Sequence, residues 1–157
     1  MGLLTFSPSY ALFTALHVAC FAVGLTVCGL YGRDLKRAAD SDEAADSKWI
    51  YAVVVGALSA VTCVAYFLPF VLRLASGIVM AAWDLVLFVM WIALFGIFAK
   101  MYIDEDPEGD AGITRMKEAM WVDLAGAILW FIATLASLGY WWKHRDTRSR
   151  FTGRAHV

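Results

Sequence analysis

Apolar residues in this chain fall into four long runs, at about 10–31, 49–72, 78–99 and 120–142, divided by polar or charged stretches. Each run reaches the roughly 20 residues that an α-helix needs to cross about 30 Å of hydrocarbon. In lipid every backbone N–H must bond within its own segment or within a closed barrel, and runs of this length with no period of two predict helices. The expected fold is all-α, an integral membrane antiparallel four-helix transmembrane bundle forming one domain over residues 1–157. Pro69 falls near the end of the second run, where it kinks or stops a helix at little cost. The stretch 73–77 leaves room only for a tight turn, so the second and third helices are expected to form a hairpin. The other two loops, 32–48 and 100–119, are longer, and the latter carries Asp104, Glu105, Asp106, Glu108 and Asp110.

Composition sharpens this picture. The chain is 61% hydrophobic and 17% charged, with mean hydropathy +0.66, whereas soluble domains are about half apolar and about a quarter charged. A water-soluble globule is excluded. A net charge of −1 and three Cys also argue against a nucleic-acid partner or a disulfide framework. The chain has no Asn and no Gln, so polar contacts inside the spans fall to Ser, Thr, Tyr, Trp, His or ionisable groups, and N-glycosylation is ruled out. The N-terminal stretch lacks the basic start and cleavage site of a signal peptide, so the first span is expected to remain. Gly2 is followed by Phe6 where a myristoylation motif has Ser or Thr.

Charge counts orient the bundle only weakly. Six Lys and Arg fall on the side of the termini and seven in the two long loops, so the positive-inside rule is nearly balanced. The density of Lys143, Arg145, Arg148, Arg150 and Arg154 in the tail 143–157 favours cytoplasmic termini. That tail is also suited to an anionic leaflet, gaining about 1 kcal/mol per basic residue near the surface. Trp49, Tyr51, Tyr102 and Trp121 mark one membrane interface, and Tyr10, Tyr140, Trp141 and Trp142 the other.

The third and fourth runs echo one another: Asp84-Leu85 precedes Trp91, and Asp123-Leu124 precedes Trp130, at the same interval. A spacing of seven puts carboxyl and indole on one helical face about 10 Å apart, so each helix should present both toward the same neighbour. An ionisable group in a span is costly and normally turns inward to a partner. The two aspartates are expected at depths too different for direct pairing. His17 shares the depth of Asp84 and is its expected hydrogen-bond partner, as a helix-register contact or as a proton-sensitive relay. Asp123 is shallow enough to reach water, Lys48, Lys100 or a Tyr hydroxyl. Ala52, Gly56 and Ala60, spaced at four, form a small-residue stripe that lets another helix approach closely.

Reactive signatures are weak. Cys20, Cys28 and Cys63 fall within spans with no Cys-x-x-Cys pair. The single intramembrane His cannot clamp a haem with a second one. The loop from Asp104 opens like a calcium loop but has Arg115 where the bidentate Glu belongs. No catalytic or metal-binding residue is assigned, and no cofactor is expected beyond bound lipid or sterol.

Four closely spaced spans with short termini, Asp84 and Trp91 followed by Phe95-Gly96, and Trp121-Val122-Asp123-Leu124 with Trp130 resemble the small fungal proteins of the MARVEL-like tetraspan superfamily. The resemblance implies a four-helix bundle with cytoplasmic termini in plasma-membrane or secretory-pathway membranes. It also implies a non-enzymatic role in organising membrane microdomains, vesicle traffic and other membrane proteins; lateral self-association, with lipid contact, is expected from the small-residue stripes and the lack of any reactive constellation. Neither long loop holds a Cys, so the loop disulfide of some animal members is absent. Two other readings are an accessory subunit of a larger membrane complex and an ion or proton pathway using Asp84 and His17.

Overall fold

A computed structural model of the protein describes residues 8–42, 44, 46–68, 76–106 and 108–149, and within these the side chains from 11 to 143. Among the described residues the fold is four α-helices with no strand: α1 (Pro8–Asp40), α2 (Ser47–Phe67), α3 (Gly77–Tyr102) and α4 (Ala111–Ser149). All four are long and apolar enough to cross a bilayer, which makes this an integral membrane protein by architecture.

Local chemistry sets the helix ends. Pro8 occupies the first turn of α1, where its missing N–H has no intrahelical acceptor to lose. Asp46 caps α2, its carboxylate accepting from the Lys48 N–H at 2.9 Å. Asp110 does the same for α4, accepting from the Gly112 N–H at 2.6 Å. Just before it the chain turns through left-handed backbone at Glu108 and Gly109, with φ 42° and 91°. Pro69 and the expected turn over 73–75 lie outside the described residues.

The exposed Asp46 carboxylate is held below the usual Asp pKa of 3.8, chiefly by the Lys48 backbone N–H. A depressed folded-state value means that the cap stabilises above the unfolded pKa and loses that effect as pH falls through the lowered one. Asp46→Asn keeps a capping oxygen but cannot titrate. Its stability should therefore fall less steeply than wild type when unfolding in detergent is followed from pH 5 down to about pH 3. Equal slopes would remove the assignment.

Two helices outrun their predicted spans. α1 continues nine residues past Tyr31, and α4 starts nine residues before Met120. The added stretches are polar but rich in Ala, Lys, Arg, Glu and Met, which hold a helix in water as well as in lipid. At 33 residues α1 is about 50 Å long. Tyr31, expected to close the first span at the interface, is therefore enclosed in the bundle and fully buried.

The helices follow one another around the bundle in chain order. α1 packs closely on α2, α3 on α4, and α1 also on α4, while α2 and α3 meet more sparsely. The expected hairpin of the second and third helices is thus the loosest neighbouring pair, because large side chains span its gap. Tyr51 on α2 donates to the Met90 carbonyl (3.0 Å), and Trp83 on α3 donates to Thr62 Oγ1 (3.1 Å). Backbones approach closely between α1 and α2. A Cβ on Gly24 would sit 2.8 Å from the Gly56 carbonyl oxygen, and one on Gly56 2.7 Å from that of Gly24.

Polarity is distributed inside out. His17, Ser59, Thr62, Asp84, Asp123, Thr134 and Ser137 are buried, while Leu12, Val18, Leu25, Val54, Val61, Val89, Ile128 and Leu135 point outward. In water such a surface would cost about 25 cal/mol per Å² of apolar area. Against acyl chains it costs nothing. Thr62 and Thr134 return their hydroxyls to the carbonyls of Leu58 and Trp130, each at 2.8 Å, and so satisfy themselves within their own helices.

Candidate functional site

The polar interior is built around the two intramembrane aspartates. Asp84 on α3 is fully buried and held by two hydroxyls from different helices. Tyr66 on α2 donates to Oδ1 at 2.9 Å, and Ser137 on α4 donates to Oδ2 at 2.6 Å. One carboxyl therefore ties three helices together. Seven residues along α3, Trp91 donates its indole N–H to Ser59 on α2 at 2.8 Å. Ser59 lies seven residues before Tyr66, so the Asp84 and Trp91 bonds keep step along the antiparallel pair. The indole also rests on Gly126 of α4, where a Cβ would overlap the ring.

α4 turns the same two residue types toward α1. Asp123 is fully buried and accepts from the Tyr31 hydroxyl at 2.6 Å through Oδ2. Trp130, also fully buried, meets the His17 ring edge-on, with centroids 6.1 Å apart and planes at 87°. The Asp–Trp echo thus addresses α2 from α3 and α1 from α4. Ser137 touches Asp84 and lies 14 residues beyond Asp123 on α4, so the two carboxyls are about 21 Å apart in depth.

His17 does not bond Asp84. Its Nδ1 donates to the Phe13 carbonyl one turn earlier, at 2.9 Å. Its ring packs on Phe13 with centroids 4.1 Å apart and against Tyr66 at 5.2 Å. Tyr66 stands between the two and its hydroxyl takes the place on Asp84 expected for the imidazole. Equal depth placed the pair correctly along the membrane normal; side-chain direction decided the bond. Among the described residues His17 Nε2, Trp130 Nε1 and Asp123 Oδ1 are buried without a hydrogen-bond partner.

Ala52, Gly56 and Ala60 are buried, and Gly56 faces Gly24 and the Cys28 thiol of α1. The small-residue stripe therefore serves packing inside the bundle. In the tail, Lys143 ends the described side chains and Arg145 and Arg148 belong to the backbone of α4, while Arg150 and Arg154 lie outside the described residues. No three His, Cys, Asp or Glu side chains converge as a metal site among the described residues.

Tyr31, Ser59 and Tyr66 were not singled out from the sequence, and Ser137 only as one of the small residues, with Ala125 and Ala133, that suit close helix packing. A Tyr or Ser in a span carries no signal of its own. The absence of Asn and Gln was the clue that hydroxyls had to serve the acids. Also unanticipated is Asp34 on the extension of α1, which accepts from Arg115 of α4 at 2.5 Å. Comparison of the chain with protein-family models, with curated proteins and with solved structures finds no match.

Proposed function

We propose that this is a non-enzymatic tetraspan protein that organises membrane microdomains, or vesicle and plasma-membrane assemblies, through lateral association and lipid contact. The MARVEL-like resemblance of the third and fourth spans points the same way. The observation that carries the reading is the division of labour around the bundle. Both intramembrane carboxyls are tied to hydroxyls of neighbouring helices, and the outward faces offer large apolar side chains to lipid or to other spans. Since Ala52, Gly56 and Ala60 are used internally, lateral contacts would run through Val, Leu, Ile and Phe side chains on the outer faces. With cytoplasmic termini, Lys143, Arg145, Arg148, Arg150 and Arg154 would hold anionic headgroups.

The separation of the carboxyls weighs against a proton path using Asp84, His17 and Asp123, because about 21 Å of depth lies between them. An accessory subunit would use the same outer surface for a different chain. Native mass spectrometry from nanodiscs, together with pull-down from native membranes, tests the reading. Oligomers carrying lipid are expected. Monomers without lipid would end the self-association reading, and a partner of fixed stoichiometry would replace it with the accessory-subunit one.

A further inference from the structure

At the end of the bundle away from the termini, a second polar cluster lies outside the carboxyl network. Asp34 is only 5% exposed, and its Oδ1 accepts from Arg115 Nη2 at 2.5 Å and lies 3.6 Å from Arg37 Nη1. Its other oxygen, Oδ2, is buried without a partner among the described residues, as is the Nε–H of Arg115. Both residues line a cleft of about 200 Å³ together with Arg37, Trp49, Tyr102 and Asp110. One water takes up about 30 Å³ of liquid, so the cleft suits a larger group. A group seated there that gives a hydrogen bond to Asp34 Oδ2 and takes one from Arg115 Nε would satisfy both.

Two further facts narrow the occupant. Among the described residues the charged side chains lining the cleft are two acids, Asp34 and Asp110, and two guanidinium groups, Arg37 and Arg115, so a ligand bearing both signs matches better than a simple anion or cation. Trp49 opens α2 and Tyr102 closes α3, and these rings set the cleft at the level of lipid headgroups. We propose that it binds the phosphoethanolamine headgroup of a zwitterionic phospholipid. The primary ammonium donates to Asp34 Oδ2, and the phosphate accepts from Arg115 Nε–H and from the guanidinium of Arg37, which is 71% exposed and free to swing. A choline headgroup offers the aromatic rings a cation but has no N–H, and so leaves Asp34 Oδ2 unsatisfied.

The lipid can be varied on the wild-type protein, so folding does not enter the first test. The full chain in mild detergent is titrated with phosphatidylethanolamine, its N-methyl and N,N-dimethyl forms and phosphatidylcholine, all with the same acyl chains, and retained lipid is counted by native mass spectrometry. Retention should fall at least tenfold from ethanolamine to choline, with the largest step at the last methyl, where the last N–H is lost. Asp34→Asn, checked for helicity and monodispersity, should bring the ethanolamine-to-choline ratio within twofold of one. Should that variant not fold, Arg37→Gln at the exposed position should lower ethanolamine-lipid retention several-fold. Millimolar glycerophosphoethanolamine should leave the bound lipid in place. Equal retention of the two lipids by wild type, a preference unchanged in folded Asp34→Asn, retention unchanged in Arg37→Gln, or displacement by the soluble headgroup would each overturn the assignment.

Discussion

Tyr31→Phe is expected to destabilise the bundle by about 2 kcal/mol, whereas Tyr66→Phe should cost less than about 1 kcal/mol. The two substitutions are chemically identical, and each removes one hydroxyl donor from a fully buried aspartate. Their difference lies in what remains. Without Tyr66, Asp84 still accepts from Ser137 at 2.6 Å. Without Tyr31, Asp123 keeps no hydrogen bond among the described residues, because its Oδ1 already has none. Interhelical hydrogen bonds in bilayers are worth about 0.6 kcal/mol on average and about 1.7 at most, since a helix separated in the membrane finds other partners. A buried carboxyl stripped of its one donor belongs at or above the top of that range. Unfolding of both variants by SDS titration from mixed micelles measures the ordering. Restoring stability with the double variant Tyr31→Phe/Asp123→Leu would show that the orphaned acid, and not the lost hydroxyl, is what costs. Equal losses for the two Tyr variants would contradict the geometry.

The same pair of sites shows how far the sequence could be read. Run length was sufficient for the four spans, because hydrocarbon thickness admits few alternatives to a helix of about 20 residues. The interval of seven placed Asp84 with Trp91, and Asp123 with Trp130, on shared faces, and the structure turns both faces inward. A Tyr hydroxyl was among the partners expected for Asp123, and Tyr31 supplies it, but which residue bonds which acid was not readable. Tyr66 is 18 residues from Asp84, Ser137 is 53, and Tyr31 is 92 from Asp123. Hydropathy carries nothing about which of many hydroxyls meets which acid. His17 shows the limit most clearly, since a rotation about the α1 axis and the preference of Nδ1 for a carbonyl one turn back decide its bond. Helix ends failed for another reason. Hydropathy marks where lipid stops, and α1 and α4 are helical beyond that level on the strength of their Ala, Lys, Arg and Glu content. Asp34 and Arg115 were assigned to loops on that ground, and their ion pair across the two extensions was missed.

The largest single-residue loss should come from the smallest side-chain change, Gly126→Ala. The added methyl would fall on the six-membered ring of Trp91, at 2.7 Å from Cδ2 and closer still to Cε3 and Cζ3. Flexible side chains escape such overlaps by rotating, but this indole is fully buried and its N–H is committed to Ser59 at 2.8 Å on the opposite neighbour. Moving the ring toward α2 compresses the Ser59 bond, and moving it along the axis breaks it. Overpacking a well-filled core costs about 1–3 kcal/mol, and the concurrent strain on a buried hydrogen bond places Gly126→Ala near the upper end, at about 3 kcal/mol. Trp91→Phe alone leaves a gap and an unpaired Ser59, so it too destabilises. Combined with Gly126→Ala, however, the smaller ring vacates the space that the methyl needs, and the double variant should be more stable than the sum of the single losses implies by at least about 1 kcal/mol. SDS unfolding of the four proteins gives that coupling directly. Additive losses would mean that α3 and α4 can slide apart at this level, and the close seat of Trp91 on Gly126 would then not be what sets their spacing.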